Sequence, residues 1–169
     1  MEPAPATGEA APAASPPFAI VPETPLQEDV RAMIAELNAI MQPLTPREFQ
    51  FQMTAEQIAE SDTTLFVLRD GAGNAVGMGA LKVHDRKLGE IKRMYTRPLI
   101  RGTGQGGLIL ETLENLARKK GLRRLVLETG EAPGFEAAWR VYERGGYTQC
   151  GAVLDYPDSG WSRFYEKKL

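Results

Sequence analysis

The chain has 169 residues, of which 43% are hydrophobic and 25% are charged, a composition typical of a globular protein with one sizeable core. Its formal net charge of −2 provides no electrostatic basis for binding nucleic acid, and no stretch approaches the roughly 18 apolar residues of a membrane-spanning helix. One cysteine, Cys150, excludes an internal disulfide and one histidine, His84, argues against a zinc site, so we expect a cytoplasmic protein with no metal and no nucleic-acid or membrane partner.

The first 17 residues differ in composition from the rest of the chain. They are rich in alanine and proline and contain no basic residue, which argues against a secretory signal. Such a segment cannot bury enough apolar surface to offset the entropy lost on ordering. We predict a disordered tail over 1–17 and a single domain over 18–169.

Hydrophobic periodicity and turn residues predict alternating strands and helices in the remainder. In chain order these are a strand over 18–21, helices over 26–41 and 54–60, strands over 63–69, 75–83 and 88–96, a helix around 108–117, a strand over 124–129, a helix over 134–144, and strands over 147–154 and 161–167. The strand, helix and strand between 88 and 129 predict a parallel βαβ unit with a right-handed crossover. The fold class is therefore α/β, with a mixed, mostly antiparallel sheet and one central parallel strand pair.

A glycine-rich turn precedes the third predicted helix, in the run Arg101-Gly102-Thr103-Gly104-Gln105-Gly106-Gly107. The first backbone N–H groups of a helix lack intrahelical partners, so a helix N-terminus binds anions. Glycines let a phosphate approach those amides, and an arginine adds a positive charge. The turn therefore predicts a pyrophosphate site.

The same run satisfies GxGxxG, and Glu128 lies about 20 residues further on, as in a dinucleotide-binding fold. The approach to the turn, Arg97-Pro98-Leu99-Ile100-Arg101, is unlike the buried apolar strand of that fold. About 40 residues follow Glu128, too few for the remaining parallel units. A P-loop is excluded because no Gly-Lys-Ser/Thr follows.

Two segments in this order carry a family resemblance. Residues 101–106 match the (Q/R)xxGx(G/A) motif, and 141–147, Val-Tyr-Glu-Arg-Gly-Gly-Tyr, look like a later LYEKxGF segment. From about Leu88 to the C-terminus the chain resembles the GNAT (Gcn5-related N-acetyltransferase) superfamily, particularly its uncharacterised bacterial members. The resemblance implies a splayed central strand pair, helices on both faces of the sheet, and acetyl-CoA as co-substrate.

The resemblance also implies where the cofactor binds, wedged between the ends of the two parallel strands. The backbone around Met94 to Thr96 would bind pantetheine and polarise the thioester carbonyl. The expected cofactor-binding residues are Met94, Tyr95, Thr96, Arg101, Gly102, Thr103, Gly104, Gln105, Gly106, Gly107, Thr129 and Tyr142. Phe135 stands where many members have an asparagine, so one hydrogen bond to the cofactor is in doubt.

Acetyl transfer from a thioester to an amine needs a proton acceptor for the amine and a proton donor for the leaving thiolate. Glu90, on the strand that leads to the predicted site, is the candidate general base, acting directly or through a water. The alternatives are that Glu90 is a solvated carboxylate and that an ordered water or another group is the base. Tyr142 resembles the family's general acid, and its alternative role is core packing. We expect direct attack by a primary amine of a small molecule, and the competing hypothesis is a non-catalytic acyl-CoA-binding module.

The acceptor pocket is expected between the loops at 41–51 and 154–161. A cationic amine would be attracted by three residues of the second loop, Asp155, Tyr156 and Asp158. Arg47 or Arg93 would bind a carboxylate, so an amino-acid-like acceptor is one candidate. His84 is expected at the surface, and Cys150 is expected to be a small buried hydrophobic residue. Because small members of this family often form dimers, the resemblance also implies a homodimer as a candidate assembly.

Overall fold

The computed structural model describes residues 18–169, so the tail predicted over 1–17 lies outside the described residues. The strands are β1 (Phe18–Pro22), β2 (Thr63–Asp70), β3 (Ala75–Val83), β4 (Leu88–Thr96), β5 (Arg124–Gly130), β6 (Thr148–Cys150) and β7 (Ser162–Lys168). The α-helices are α1 (Glu28–Met41), α2 (Ala55–Ile58), α3 (Gln105–Lys119) and α4 (Glu136–Arg144). In this described range, no helix is long and apolar enough to cross a membrane.

The strands form one sheet in the order β1-β2-β3-β4-β5-β7-β6. Within residues 18–169 every neighbouring pair is antiparallel except β4 and β5. The parallel pairing ends where Glu90 meets Val126, although β4 continues to Thr96 and β5 to Gly130. The two strands therefore diverge, which confirms the predicted mixed sheet and its splayed central pair.

Helices cover both faces of the sheet, as predicted. Alternation along β2 sends Leu65 and Val67 to one face and Phe66 and Leu68 to the other. The first two pack in the α1-side core, which includes Val30, Met33, Ile34, Leu37, Met78 and Tyr95. The other two pack in the α3-side core, which includes Ile91, Ile109, Leu110, Leu113, Leu127 and Tyr165.

A β-bulge interrupts β4 at Arg93. The register with β3 shifts by one residue between the Met78–Tyr95 and Ala80–Lys92 pairs, and Arg93 has a φ of 53°, rare for a residue other than glycine. In a regular strand, residues four apart lie on the same face. Here Ile91 packs in the α3-side core and Tyr95 in the α1-side core. The bulge thus reverses the facing of every later residue of β4.

The predicted elements are all present, but some boundaries differ. Thr54 caps α2 through a capping box, since its hydroxyl accepts from the Gln57 N–H and the Gln57 side chain accepts from the Thr54 N–H. The strand predicted over 147–154 is shorter, because pairing with β7 stops at Cys150 and residues 151–161 form an irregular loop. That loop carries Tyr156 to the site described next.

Candidate active site

A cavity of about 1100 Å³ opens between the diverging ends of β4 and β5. One end is bounded by the N-terminus of α3 and by α4, and the other by α1 and the segment at 40–51. Ligand pockets of drug-sized molecules typically occupy about 300 to 1000 Å³. The volume is therefore sufficient for a cofactor arm and an acceptor together.

The glycine turn forms one end of this cavity. Gly102 and Gly104 have left-handed backbones, with φ of 78° and 83°, and a Cβ added to either would meet no atom within 4 Å. Packing therefore does not explain these glycines. The first intrahelical bond of α3 runs from the Leu108 N–H to the Gly104 carbonyl, so the preceding amides of the helix point outward without intrahelical partners. This arrangement fits a pyrophosphate.

Most of the predicted cofactor residues line the cavity. The structure brings together Met94, Tyr95, Thr96, Arg101, Gly102, Gly104, Gln105, Gly106, Gly107, Thr129 and Tyr142. Thr103 differs, because it is absent from the lining and its hydroxyl donates to the Ile100 carbonyl at 2.6 Å. The Thr103 side chain is therefore bonded within the turn.

Gly104→Ala should weaken acetyl-CoA binding by about tenfold, because the left-handed backbone strains any L side chain and a methyl group then stands at the mouth of the helix. Gly73→Ala is the matched control, since Gly73 has a φ of 85° in the β2–β3 turn and lies outside the cavity. Both variants should lose similar stability in urea titrations. Equal losses of acetyl-CoA affinity by calorimetry would contradict the assignment.

Phe135 occupies the position where the resemblance implies an asparagine. The residue is 8% exposed and lines the cavity, and its ring lies against Gly130 at the end of β5. A Cβ added to Gly130 would lie 2.1 Å from Cε2 of this ring. The contact between a ring and a bare backbone therefore replaces a polar side chain here.

Glu90 lies on β4 and is only 3% exposed, so the alternative of a solvated carboxylate is wrong. Its Oε1 lies 2.8 Å from Nε2 of His84. Its Oε2 accepts from the Tyr156 hydroxyl at 2.5 Å and from Nζ of Lys92 at 3.2 Å. His84 is exposed at the end of β3, as predicted, but its ring reaches this carboxylate. Both oxygens of Glu90 are thus occupied by neighbouring polar groups.

Glu128 is a second carboxylate on the cavity wall, which the sequence suggested only as a ribose ligand in the dinucleotide alternative. The Ser162 hydroxyl donates to its Oε1 at 3.0 Å. The pKa of Glu128 is raised to about 7, mainly by burial; the charge of the nearby Glu90 contributes to the rise, whereas Ser162 and Lys92 oppose it. No local pattern indicated this placement. It follows from the pairing of Glu90 with Val126 in the fold, because alternation then puts Glu128 on the same face.

Tyr142 lies on α4 and lines the cavity. Its ring packs 5.9 Å from that of Tyr165 and 6.1 Å from that of Tyr147, measured between centroids. Burial raises the pKa of the Tyr142 phenol above its ordinary value, and the charge of Glu128 adds to the shift. The phenol therefore stays protonated at neutral pH, as a proton donor must.

The end of the cavity where the acceptor is expected is lined by α1 and the 40–51 segment. No residue of the 154–161 loop lines it, although Tyr156 contacts Phe51 and Glu90, which do. The ring of Tyr156 meets Phe51 edge to face at 5.2 Å, so the two predicted loops touch. Asp155 and Asp158 are exposed, and only the tyrosine of that trio contacts the site. Of the two predicted carboxylate ligands, Arg47 is exposed and outside the lining, whereas Arg93 is buried and lines the cavity.

The dinucleotide alternative finds little support in this architecture. A dinucleotide fold requires several parallel strands, whereas residues 18–169 contain one parallel pair. Within the same residues there is no group of three or more His, Cys, Asp or Glu side chains placed to hold a metal ion. Cys150 is half-buried and packs beside Val126 and Phe164, outside the cavity.

Comparison with known proteins agrees with this geometry. The model of the Acetyltransferase (GNAT) family matches residues 31–147. The chain is 34% identical over 155 residues to "IAA acetyltransferase" of Azospirillum brasilense, covering 91% of this chain and 99% of that protein. It is 33% identical over 140 residues to "Uncharacterized N-acetyltransferase YedL" of Escherichia coli, covering 83% and 87%.

A crystal structure of an acyl-CoA N-acyltransferase from Klebsiella pneumoniae superposes with a TM-score of 0.76 at 32% identity, covering 90% of this chain and 97% of that one. The family match spans more than half of the 169 residues, and the relatives align over nearly their whole length. Sequence, fold and cavity therefore agree. The chain belongs to the Acetyltransferase (GNAT) family and is an acyltransferase of the acetyl-CoA-dependent type.

Proposed function

We propose that the protein is an N-acetyltransferase that moves an acetyl group from acetyl-CoA to a primary amine of a small molecule by direct attack in a ternary complex. The supporting observation is that the glycine turn, two carboxylates and one phenol all line a single cavity. A route through a cysteinyl acyl-enzyme lacks support, because Cys150 lies outside that cavity. Acetyl-CoA supplies an activated thioester, and the side chains supply binding, orientation and proton transfer.

Two carboxylates compete for the role of proton acceptor. Glu90, the residue predicted from the sequence, already accepts hydrogen bonds at Oε2 from Tyr156 and Lys92 and lies against His84 at Oε1. Glu128 has one hydrogen-bond donor, Ser162, among the described residues. A base needs a lone pair directed at its substrate and a pKa near the operating pH. We assign proton acceptance to Glu128 and assign Glu90 to holding Lys92 and Tyr156 in place.

In the proposed transfer, the bond that forms is matched by the bond that breaks, and each proton has a donor and an acceptor. The amine nitrogen forms a bond to the acetyl carbon while the carbon–sulfur bond breaks. The proton of the amine goes to Glu128, and the leaving thiolate takes a proton from the Tyr142 phenol. Backbone N–H groups of the bulged segment at Met94 to Thr96 would stabilise the negative charge on the carbonyl oxygen.

Tyr142→Phe should reduce kcat by about 10 to 10²-fold and leave the affinity for acetyl-CoA nearly unchanged, because only the proton donor for the thiolate is removed. Tyr147→Phe is the matched control. It removes a similarly buried hydroxyl from the neighbouring ring, which does not line the cavity. Steady-state kinetics with saturating acetyl-CoA measure both variants. A Tyr142→Phe enzyme with full turnover would reject the role.

The proposal is tested by incubating the protein with acetyl-CoA and a panel of amines and following the release of free CoA thiol. At least one amine should release thiol well above the background hydrolysis rate, and mass spectrometry should find the amine heavier by one acetyl group. The competing function, a non-catalytic acyl-CoA-binding module, predicts that acetyl-CoA binds by calorimetry while no amine accelerates thiol release.

A further inference from the structure

Arg93 is a buried cation that lines the cavity without a carboxylate partner. The residue is 8% exposed. Its Nη2 donates to Oδ1 of Asn38 and lies 3.5 Å from the Ile34 carbonyl, both on α1. Its Nε is buried with no hydrogen-bond partner in the described part of the chain. Among residues 18–169, no Asp or Glu oxygen lies within 4.0 Å of this guanidinium, whereas the adjacent Lys92 pairs with Glu90.

The bulge in β4 is the reason that Arg93 faces this cavity. In a regular strand Arg93 would point to the same face as Ile91, into the α3-side core. The positive φ of Arg93 instead directs two consecutive side chains, Lys92 and Arg93, to the face that carries Glu90 and α1. A strained backbone conformation is thus retained where it brings a cation to the pocket.

A purely structural role does not account for this side chain. Burying an unpaired charge is costly, and an apolar residue of similar volume would fill the same space without that penalty. Burial alone lowers the pKa of Arg93 to about 10, with no carboxylate raising it in return. The group therefore remains a cation at neutral pH, and its Nε has no hydrogen-bond partner in the described part of the chain.

The rest of the acceptor end complements a particular molecule. Apart from Thr45, its remaining wall is apolar: Leu37 is buried, Ile40 is exposed, and Met41, Leu44, Phe49 and Phe51 are half-buried. The carboxylates of Glu90 and Glu128 also line the cavity, Glu90 at the last paired position of β4 with β5 and Glu128 two residues beyond the last paired position of β5. The pocket therefore combines a cation that can bind an anion, an apolar surface and two carboxylates.

We infer that the acceptor is an amino carboxylate with a large apolar side chain, whose carboxylate pairs with the Arg93 guanidinium while its amine faces Glu128. This inference rests on the proposed acetyl transfer and names the substrate class of the same site. Arg93 is a specificity-determining residue, because it contacts the part of the acceptor that does not react.

The test compares matched acceptors on the unaltered enzyme, so that it does not depend on a variant that folds. Phenylalanine and leucine are each paired with their carboxamides, and thiol release from acetyl-CoA is followed. The amino acid should show a kcat/KM higher than that of its amide by on the order of 10²-fold, since truncating one partner of a buried charge pair typically has effects of this size. Equal kcat/KM values within each pair would overturn the inference and leave acetyl transfer intact.

Substitutions then show which residue causes the preference for the carboxylate. Arg93→Gln should lower kcat/KM for the amino acid far more than for its amide, so that the preference for the carboxylate is lost, and Arg93→Lys should restore part of the preference. Arg47 is exposed and is the other arginine that the sequence offers as a carboxylate ligand. Arg47→Gln should behave as the wild type. If Arg93→Gln lowers kcat/KM for the amino acid and for its amide by the same factor, Arg93 only supports the fold.

A binding measurement separates this inference from the proposed function. With CoA present, phenylalanine should raise the thermal unfolding midpoint more than its amide does, and Arg93→Gln should abolish that difference. If this Arg93-dependent binding occurs without thiol release from any amine, the proposed acetyl transfer fails while the carboxylate site stands. If thiol is released without any carboxylate preference in kinetics or binding, the inference fails alone.

Discussion

Glu128→Gln should lower kcat by a factor of about 10² to 10⁴, the contribution typical of a positioned general base. The substitution keeps the shape of the side chain and its capacity to accept from the Ser162 hydroxyl, but it cannot take a proton. Glu90→Gln, on the neighbouring strand, is the comparison. It should disturb Lys92 and Tyr156 and reduce activity less. A larger loss in Glu90→Gln would reassign the base to Glu90, as the sequence predicts.

The pH dependence provides an independent check on Glu128. A base acts in its deprotonated form, and burial raises the pKa of this carboxyl to about 7. The wild-type kcat/KM should therefore rise with pH up to about 7 and then level off, apart from the titration of the amine substrate itself. Glu128→Gln should lack the limb near pH 7. A limb that persists in this variant would assign the titration to another group.

The same pKa shift predicts how stability changes with pH. The folded-state pKa of about 7 lies above the ordinary value of 4.5, so the folded protein holds this proton more tightly than the unfolded chain. The associated stabilisation is present at low pH and is lost as pH rises from about 4.5 to about 7. The unfolding free energy of Glu128→Gln, measured in urea, should lack this decline. Loss of activity without loss of stability would then exclude misfolding as the cause.

Leu113→Ala should reduce the free energy of unfolding by about 2 to 5 kcal/mol, the range for deleting a large buried side chain when the surroundings relax only partly. Leu113 is fully buried on the face of α3 that packs against β3. The helix lies so close to the strand that a Cβ added to Gly79 would lie 3.0 Å from Cδ1 of Leu113. Little movement is therefore available to fill the space that the leucine vacates.

Leu108→Ala is the matched control for this prediction. Leu108 lies on the same helix and is 38% exposed, so the change in helix propensity is the same while the buried contacts are few. Urea titrations should show a loss below about 1 kcal/mol for this variant, as is usual for surface positions away from the core. Equal losses in the two variants would contradict the packing of α3 on the sheet.

Most of the architecture was predictable because it depends on local patterns. The period of the apolar residues indicates each helix and strand, and the turn residues separate them. The chain also predicts the pyrophosphate site that we propose, since closely spaced glycines before an amphipathic helix have a direct physical meaning at a helix N-terminus. The Thr103 hydroxyl, between Gly102 and Gly104, donates to the Ile100 carbonyl, a contact that the local pattern did not predict.

The polar contacts at the proposed acceptor end were less predictable. They join residues that are far apart in the sequence, and no local pattern encodes such contacts. His84 and Tyr156 meet at Glu90 from a strand end and an irregular loop. The environment of Glu128 arises because β5 lies beside β4 and β7, which bring Lys92 and Ser162 to it. Burial, which sets its pKa, is a property of the packed molecule and not of the glutamate.

The sequence by itself determined the order of the elements, the mixed sheet and the family, because hydrophobic period and glycine spacing act over a few residues. The tertiary structure alone decided which polar groups face the acceptor. A single extra residue in β4 turns Arg93 away from the α3-side core and towards α1. Such a bulge follows from the register between strands rather than from local propensity. The proposed cofactor site was therefore predictable from the sequence, whereas the polar groups of the proposed acceptor site became apparent only in the tertiary structure.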